Sequence, residues 1–388
     1  MHTDSNAREQ RGREIARISP DQVTRIDKNT YKVQSQSNRE IKYDVVSTEL
    51  GWICSCPDSM FRQAKCKHVF AVELSQALRR SVTKIDLAVN PSVCIYCKSP
   101  NITRYGVRHN KSGNIQVYSC KDCKHFFTHN VGFEHMQASP QAITGAMQLY
   151  FSGESLRNVQ KFLLLQGIRI SHVTVLNWIH KYVSLMEKYV EKITPQVSQT
   201  WRTDELYLKI KGNKNYLFAL MDDETRFWIA QQVADKKGIS NIRPMFQEAR
   251  EITDVEPKTI ISDGAQNFVR AIMDEFPEPS NRPVHIREIR IDGSVHNNKM
   301  ERMNGELRDR EKVMRSLKNK DSPILKGLQI YHNYMRPHMS LQNKTPAEVA
   351  GIQIEGENKW LTLIQSASIE KLQKRYARQT RFNNMKIQ

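Results

Sequence analysis

Two hydrophobic periods divide the chain into strand-rich and helical parts. Residues 31–53, YKVQSQSNREIKYDVVSTELGWI, alternate polar with β-branched or aromatic residues, and SNRE interrupts the alternation. An alternation of period two around a polar turn predicts a β-hairpin. The segment KHVFAVELSQALRR, which begins at Lys67, instead has the helical period and predicts a short amphipathic helix.

Residues 138–194 carry the helical period throughout. Apolar residues recur at spacings of three and four, first at Leu156, Val159 and Leu163 and again at Leu176, Ile179 and Val183. Ser155 and Ser171 stand at the predicted N-caps, and Gly167 lies between the two helices. A short helix, a turn and a longer helix predict a helix-turn-helix that binds DNA, with His172, Thr174, Asn177 and Lys181 facing the groove. An ordinary helical hairpin has the same pattern.

From Trp201 onward the pattern changes again. In WRTDELYLKIK the apolar residues Leu206, Leu208 and Ile210 alternate, and Asp204 shares their parity. Two more strand-like segments follow, then helix, strand, helix, strand and a long helix. This order predicts an α/β domain with a mixed sheet, the arrangement expected of a ribonuclease-H-like core. The whole chain is therefore expected to be multidomain, with small α+β modules and a helical segment before this core.

Charge and composition narrow the class of partner. The chain has 388 residues, a formal net charge of +18 and a pI of about 9.6. No run approaches the roughly twenty apolar residues that span a bilayer, and the polar N-terminus lacks a secretory signal. We expect a soluble cytoplasmic protein that binds nucleic acid and associates with the nucleoid when bound. The alternative is a merely solvated basic surface.

All seven cysteines lie in the first third of the chain, in two sets. The first set is Cys54-x-Cys56, nine residues, then Cys66-x-His68. Three thiolates and one imidazole suit tetrahedral Zn²⁺, and an odd cysteine count argues against a disulfide framework. The spacing resembles the SWIM zinc finger, whose pattern is CxC, a variable gap and CxH. The alternative is a buried cysteine group without metal.

The second set is Cys94-x-x-Cys97 and Cys120-x-x-Cys123, with 22 residues between the pairs. Two CxxC pairs flanking two short strands predict a zinc ribbon. Because four thiolates complete a tetrahedral site, we interpret the nearby histidines as surface or DNA-facing residues; they are His109, His125, His129 and His135. The two sets together predict two zinc ions per chain.

Three carboxylates in the second half occupy related positions on the predicted elements. Asp204 lies early in the first strand, Asp263 ends the fourth, and Glu301 lies one turn into the last helix. Carboxylates that converge repel one another unless a cation lies between them, and oxygen ligands favour Mg²⁺ or Mn²⁺. Two such ions activate a water or a 3′-OH for phosphodiester chemistry. A solvated surface acid is the alternative for each residue singly.

Asp204, Asp263 and Glu301, with 37 residues between the last two, resemble the DDE triad of insertion-sequence transposases and retroviral-type integrases. The segments TDELYLKIKGNKNYLFALMDDETRFWIA, NNKMERMNGELRDREK and YHNYMRPHMSLQNKTPAEVAG resemble their first strands, their Glu-bearing helix and the closing stretch of their core. The resemblance covers about residues 140 to 350. It implies an enzyme that binds the ends of a mobile element, cuts their 3′ ends and joins them to target DNA as at least a dimer. The SWIM module departs from this pattern.

The Glu-bearing helix also supplies predicted DNA contacts. Glu301, Asn304 and Arg308 share a face with Gly305, and that face presents a metal ligand, a small gap and a phosphate-binding cation. The predicted DNA-binding residues are Arg302, Asn304, Arg308 and Lys312. Glu306 and Glu311 compete with Glu301 by spacing. We interpret Glu306 as a member of a surface ion pair with Arg302 and Arg310, because these lie at i−4 and i+4.

Five regions result. They are residues 1–88 with the SWIM-type finger at about 30–80, the ribbon at 89–135, the helix-turn-helix-like segment at 138–194, the catalytic core at 198–352 and a basic extension at 353–388. The extension is interpreted either as a DNA contact or as a disordered tail. Two rival functions remain at this point: a catalytically inactive, transposase-derived DNA-binding protein, and an RNA-directed nuclease on the same core.

Overall fold

The computed structural model describes most of the chain, in two compact units, Met1–Thr83 and Lys84–Gln388. The described residues are 2–18, 22–26, 30–38, 40–48, 51–62, 64–81, 83–85, 92–110, 113–287, 297–313 and 317–385. Among the helices described, none has the length and apolar character needed to cross a membrane.

The first unit is a four-stranded antiparallel sheet packed with helices. Its elements are α1 (His2–Ile18), β1 (Val23–Arg25), β2 (Thr30–Gln34), β3 (Lys42–Thr48), β4 (Gly51–Cys54), α2 (Pro57–Arg62) and α3 (Lys67–Ser81). The predicted hairpin is present as β2 and β3, and the predicted helix is α3. The gap between Cys56 and Cys66, for which the sequence predicted no element, contains α2. Ile15, Val33 and Val72 are fully buried in the core of this unit.

The second unit begins with a three-stranded antiparallel sheet. After the short strand β5 (Thr83–Ile85) come β6 (Ile102–Asn110), β7 (Gly113–Cys120) and β8 (Phe126–Thr128). Strands β6 and β7 are the two strands predicted between the CxxC pairs, although Lys111 and Ser112 of the predicted turn lie outside the described residues. Phe127 and Val131 pack against Cys94 and Cys120, so this small core is built around the cysteines.

Three helices follow: α4 (Pro140–Ser152), α5 (Leu156–Leu165) and α6 (His172–Val190). The hydroxyl oxygens of Ser155 and Ser171 accept hydrogen bonds from the backbone N–H groups of Asn158 and Thr174, so both predicted N-caps are confirmed. The preceding helix α4 is capped in the same way by Ser139. The predicted helical pair is therefore part of a three-helix arrangement.

The central sheet of the second unit has five strands and mixed direction. Its elements are β9 (Thr200–Ile210), β10 (Asn213–Asp222), β11 (Trp228–Ala234), α7 (Ile239–Thr253), β12 (Thr259–Ile261), α8 (Gln266–Glu275), β13 (Val284–Ile286) and α9 (Asn298–Glu311). The strand order is β11-β10-β9-β12-β13, in which β9 to β11 are antiparallel and β12 and β13 run parallel to β9. The predicted order of elements and the mixed sheet are confirmed. Residues 288–291 of the predicted fifth strand lie outside the described residues.

The closing part of the chain packs mainly on α6 and α4, and Gln329 and Asn333 bond to the backbone of β11. It comprises α10 (Pro323–Ile330), a π-helical turn (Tyr331–Met335), a 3₁₀ turn (Met339–Leu341), α11 (Pro346–Val349), β14 (Ile352–Ile354) and α12 (Lys359–Met385). Residues 359–385 are helical. A disordered tail was one of the two interpretations of this basic extension from its sequence. Trp360, Leu363 and Ile364 are buried, and Tyr376 packs against the rings of Tyr96 and His125.

Candidate active site and zinc centres

Strand register brings the first two predicted catalytic acids together. Ile261 of β12 lies opposite Arg202 of the parallel strand β9. Asp263 and Asp204 each follow two residues later, so both occupy the same level on neighbouring chains, which lie about 4.8 Å apart in a sheet. The shared level places the two carboxylates side by side where β12 ends, next to the middle of β9.

The turn after β12 is shaped by a neighbouring strand. Gly264 has φ +81°, and a Cβ atom there would lie 2.7 Å from the backbone oxygen of Arg287. Only glycine fits this close approach at a positive φ. The Asp263 carboxylate accepts a hydrogen bond from the N–H of Ala265 at 3.0 Å, which fixes its orientation.

The environment of Asp204 disfavours its negative charge. Burial raises the pKa of Asp204, and the charge of Asp263 acts in the same direction. Hydrogen bonds from the N–H of Glu205 and from Asn304 oppose the rise, and the pKa settles at about 6. A carboxylate whose charge is disfavoured by a second carboxylate is stabilised by a cation placed between them.

Helix α9 is attached to β9 through Asn304. Its side chain is 3% exposed, and Nδ2 donates to Oδ2 of Asp204 at 2.7 Å. Glu301 lies one turn earlier on the same helix and is exposed. Within the described part of the chain, the oxygens of Asp204, Asp263 and Glu301 do not all lie within 4.8 Å of one another. The structure therefore pairs the two aspartates and places Glu301 on the adjoining face of α9.

Helix α9 has a second attachment, which no sequence pattern indicates. The ammonium group of Lys299 donates to Oδ1 and to the backbone oxygen of Asp223, at 2.6 and 2.8 Å. The same carboxylate accepts a hydrogen bond from Nε of Arg202. Lys299 is two residues before Glu301 and Arg202 is two residues before Asp204. Asp223 therefore ties together the two elements that carry these acids.

His285 was also missed, since a single histidine in a short strand has no distinctive pattern. Its Nε2 lies 2.8 Å from Oγ of Ser262, the residue before Asp263. Burial lowers the pKa of His285 to about 4, and the charge of Arg287 acts in the same direction. The imidazole is therefore neutral near pH 7 and adds no positive charge beside Asp263.

Glu306 does not pair with Arg302 and Arg310 as interpreted from their spacing. Its carboxylate instead forms an ion pair with Arg336 and lies 3.8 Å from Nδ1 of His332. Burial alone would raise the pKa of Glu306, but the hydrogen bond and charge of His332 and the charge of Arg336 hold it below its ordinary value. Arg310 is buried against the ring of Tyr150. Helical spacing could not indicate these partners, because Tyr150 lies in α4 and Arg336 lies in the stretch after α10.

The remaining predicted DNA contacts differ in exposure. Arg302, Arg308 and Lys312 are exposed along α9, whereas Asn304 is buried on Asp204. On α6, Asn177 and Lys181 are exposed, while Thr174 interacts with the N-cap Ser171 through its hydroxyl group. An exposed Asn and Lys one turn apart leave this face of α6 available to a partner.

Each cysteine set forms a compact group of four ligands. Within the described residues, the two groups of three or more His, Cys, Asp or Glu whose ligand atoms lie within 4.8 Å of one another are the two predicted zinc sets. Their members are Cys54, Cys56, Cys66 and His68 in the first unit and Cys94, Cys97, Cys120 and Cys123 in the second. The four predicted non-ligand histidines belong to neither group.

The separations within these groups fit tetrahedral zinc. The Sγ atoms of Cys94 and Cys123 lie 3.6 Å apart, as do those of Cys97 and Cys120. Nδ1 of His68 lies 3.7 Å from Sγ of Cys54. Zinc bond lengths give tetrahedral edges of about 3.8 Å between two sulfurs and about 3.6 Å between sulfur and nitrogen. A disulfide would need sulfurs about 2.05 Å apart.

Comparison with known proteins finds relatives of the region that contains these acids. Residues 198–338 match the DDE_Tnp_IS240 family, described as a DDE domain. The chain is 25% identical over 215 residues to the transposase for insertion sequence-like element IS431mec of Staphylococcus aureus, covering 54% of this chain and 92% of that protein. It is 27% identical over 178 residues to an uncharacterised protein of insertion element ISM1 of Methanobrevibacter smithii, covering 42% and 43% respectively.

Among solved structures, the catalytic core domain of HTLV-2 integrase, in complex with magnesium, is similar at 19% identity and a TM-score of 0.30. The aligned residues cover 41% of this chain and 98% of that domain.

Residues 198–338 therefore form a DDE domain. Enzymes with this domain cleave DNA and transfer strands. The motifs predicted this domain, and the match to these residues confirms it; over 215 residues the chain also resembles a transposase of an insertion sequence.

Proposed function

We propose that this transposase binds the ends of its mobile element, cuts their 3′ ends in a metal-dependent step and joins the new 3′-OH to target DNA. The observation that carries the proposal is the parallel register of β9 and β12, which places Asp204 and Asp263 at one level. Glu301 completes the set from α9, which Asn304 attaches to Asp204. These acids would hold two Mg²⁺ or Mn²⁺ ions.

The residues fit such ions because their oxygens keep free lone pairs. Oδ1 of Asp204 accepts one hydrogen bond, from the N–H of Glu205 at 2.8 Å, and Oδ2 accepts one from Asn304. Each carboxylate oxygen has a second lone pair for a cation. When bound there, divalent ions would supply Lewis-acid chemistry at the scissile phosphate and at the attacking water or 3′-OH. The chain itself would orient the acids, and the exposed Arg302 and Arg308 on the same helix would hold the DNA backbone.

Zinc and DNA recognition complete the proposal. Two structural zinc ions would stabilise the first unit and the ribbon, where the ligand separations match tetrahedral geometry. The ribbon and the exposed face of α6 would bind the element ends. Two ends must be cut and joined together, so the active species is a homodimer or larger.

Genomic DNA from either side of the coding sequence provides the test. Full-length protein with Mg²⁺ should cut this DNA at two fixed positions and join the cut ends to a plasmid, and EDTA should stop both reactions. A protein that binds the DNA but never cuts it, in Mg²⁺ or Mn²⁺, would instead support the inactive DNA-binding alternative.

A further inference from the structure

The far ends of β9 and α9 enclose a basic cleft away from the acids. It has a volume of about 750 Å³ and is lined by Lys209, Lys211, Gly212, Glu311, Lys312, Leu317 and Lys318. Four of these seven residues are lysines and one is acidic. We call this the lysine cleft.

The lysines of the cleft differ from other lysines of the core. Lys237, Lys299 and Lys326 each pair with a carboxylate, of Glu205, Asp223 and Glu248 respectively. By contrast, Lys209, Lys211 and Lys318 are exposed, and none of the three forms an ion pair with an acid in the described ranges. The acid in the cleft, Glu311, accepts a hydrogen bond from the backbone N–H of Lys209 at 2.8 Å. The cleft therefore offers several unneutralised cations to a polyanion.

The turn at the cleft breaks a local rule. Ile210 pairs with Asn213, so Lys211 and Gly212 form a two-residue hairpin loop, with φ angles of +51° and +83°. Such loops favour Asn, Asp or Gly at both positions, because side chains are strained at positive φ. The backbone N–H of Lys211 donates to the carbonyl of Leu317 at 3.2 Å, which holds the turn against the segment that carries Lys318. This hydrogen bond fixes the backbone of Lys211 beside the segment that carries Lys318.

Two contacts set the distance from the cleft to the acids. Asn304 meets Asp204, and Glu311 meets Lys209. The interval is seven residues of helix, about 10 Å, and five residues of strand, about 17 Å. Successive phosphates along a DNA strand lie about 3.4 Å apart along the axis. The lysine cleft is therefore about three to five nucleotides from the reacting phosphate.

We propose that the lysine cleft is a DNA-backbone site that holds phosphates about three to five nucleotides from the position where the strand is cut or joined. This inference rests on the proposed function for the location of the cut, and on charge alone for the binding. The ligand is the phosphodiester backbone of duplex DNA, and base identity plays no part because lysines meet only phosphates there.

The binding test compares two double variants with equal net charge. Lys211→Gln with Lys318→Gln removes two charges from the cleft, and Lys188→Gln with Lys258→Gln removes two exposed lysine charges elsewhere. Affinity for a 40-base-pair duplex of arbitrary sequence is measured from low to high salt. For the cleft variant we expect affinity about tenfold weaker and a log–log salt slope smaller by about 1.8, since each B-DNA phosphate contact contributes about 0.9. A cleft variant that matches the control variant in affinity and slope overturns the proposal.

Placement is tested by phosphate ethylation interference on DNA that the wild-type protein cuts. Ethylation of phosphates three to five nucleotides from the cut should inhibit cutting by the wild-type protein. The cleft variant should cut this ethylated DNA as fast as it cuts unmodified DNA. Identical interference in both proteins overturns the placement. If wild-type protein cuts no DNA, the proposed function fails, and the salt slopes alone still decide whether the cleft binds DNA. Equal thermal midpoints of the three proteins establish that all are folded.

Discussion

In the proposed active site, the surroundings of Asp204 disfavour its negative charge. Its carboxylate is largely withdrawn from water, faces Asp263 and is held by Asn304. In this position the charged carboxylate is unfavourable without a cation and is stabilised when a cation binds. The same conflict predicts how stability depends on pH.

We expect Asp204→Asn to stabilise the metal-free protein at pH 7 to 8. The ordinary pKa is 3.8 and the folded value is about 6, so below pH 3.8 the group is protonated in both the folded and the unfolded chain. As pH rises through 6, the folded chain alone bears the cost of the buried charge, at most about 3 kcal/mol. Thermal midpoints in EDTA should therefore differ most above pH 6 and converge as pH falls towards 3.8.

Addition of Mg²⁺ should reverse the order at pH 7.5, raising the midpoint of the wild-type protein and leaving Asp204→Asn unchanged. Asp309→Asn is the control, because Asp309 forms an exposed pair with Lys312 on the same helix that carries Glu301. A wild-type protein that is more stable than Asp204→Asn in EDTA above pH 6 would contradict the assigned environment of Asp204.

Between elements, Asp223 is the described contact that ties β9 to the start of α9. The conversion of Asp223 to Asn removes the charge that Lys299 and Arg202 share. We expect single-turnover cleavage to fall about 10- to 100-fold, because small displacements of catalytic groups are costly. DNA affinity should stay within about threefold, and Asp223→Glu should recover part of the rate.

Additivity provides the control for Asp223. If Asp223 acts through Lys299, then Lys299→Met should cost little more in the Asp223→Asn background than Asp223→Asn costs alone. If the fold losses in cleavage rate of the two single variants multiply in the double variant, the contact does not position α9. The same conclusion follows if DNA affinity falls by as large a factor as the cleavage rate.

The zinc sets define elements that depend on metal. We expect metal analysis of purified protein to find two zinc ions per chain, and Cys66→Ser to lose one ion and unfold the first unit while the ribbon keeps the other. Met60→Ser is the control, since Met60 lies in α2 between the ligand pairs and is exposed. One zinc ion or none in the wild-type protein would refute the two-site assignment.

Periodic elements were predictable from the sequence, and contacts between distant elements were not. The alternation at Leu206, Leu208 and Ile210 and the caps at Ser155 and Ser171 are local patterns, and the structure confirms them. The Asp223 contact joins residues 76 positions apart, and the pairing of Glu306 with Arg336 depends on the course of the chain after α10. Such contacts arise from tertiary packing, which no local pattern encodes.

The C-terminal helix shows the same limit in another way. Composition alone marks residues 353–388 as a basic extension. The buried residues Trp360, Leu363 and Ile364 lie at helical spacing at its start, and they fix α12 on the core. The basic residues that follow dominate the average and conceal that apolar stripe.

At the scale of the whole molecule, a small group of acids lies within a strongly basic chain. The net charge of +18 favours a polyanionic partner, while Asp204 and Asp263 meet between β9 and β12 and the lysine cleft lies at the far end of β9. In the proposed reaction the acids bind cations and the surrounding basic residues bind phosphates. The account therefore depends on which carboxylate of α9 joins the two aspartates.

The most direct measurement compares Glu301→Gln with Glu306→Gln in Mg²⁺-dependent cutting of the DNA that flanks the coding sequence. Glu301→Gln should abolish cutting, about 10³-fold or more, while DNA affinity stays within about threefold, because it removes a metal ligand and no folding contact. Glu306→Gln should lower the thermal midpoint, since it breaks the contact with Arg336 and His332, yet leave cutting per folded molecule within a few fold. An inactive Glu306→Gln beside an active Glu301→Gln would contradict the proposed site.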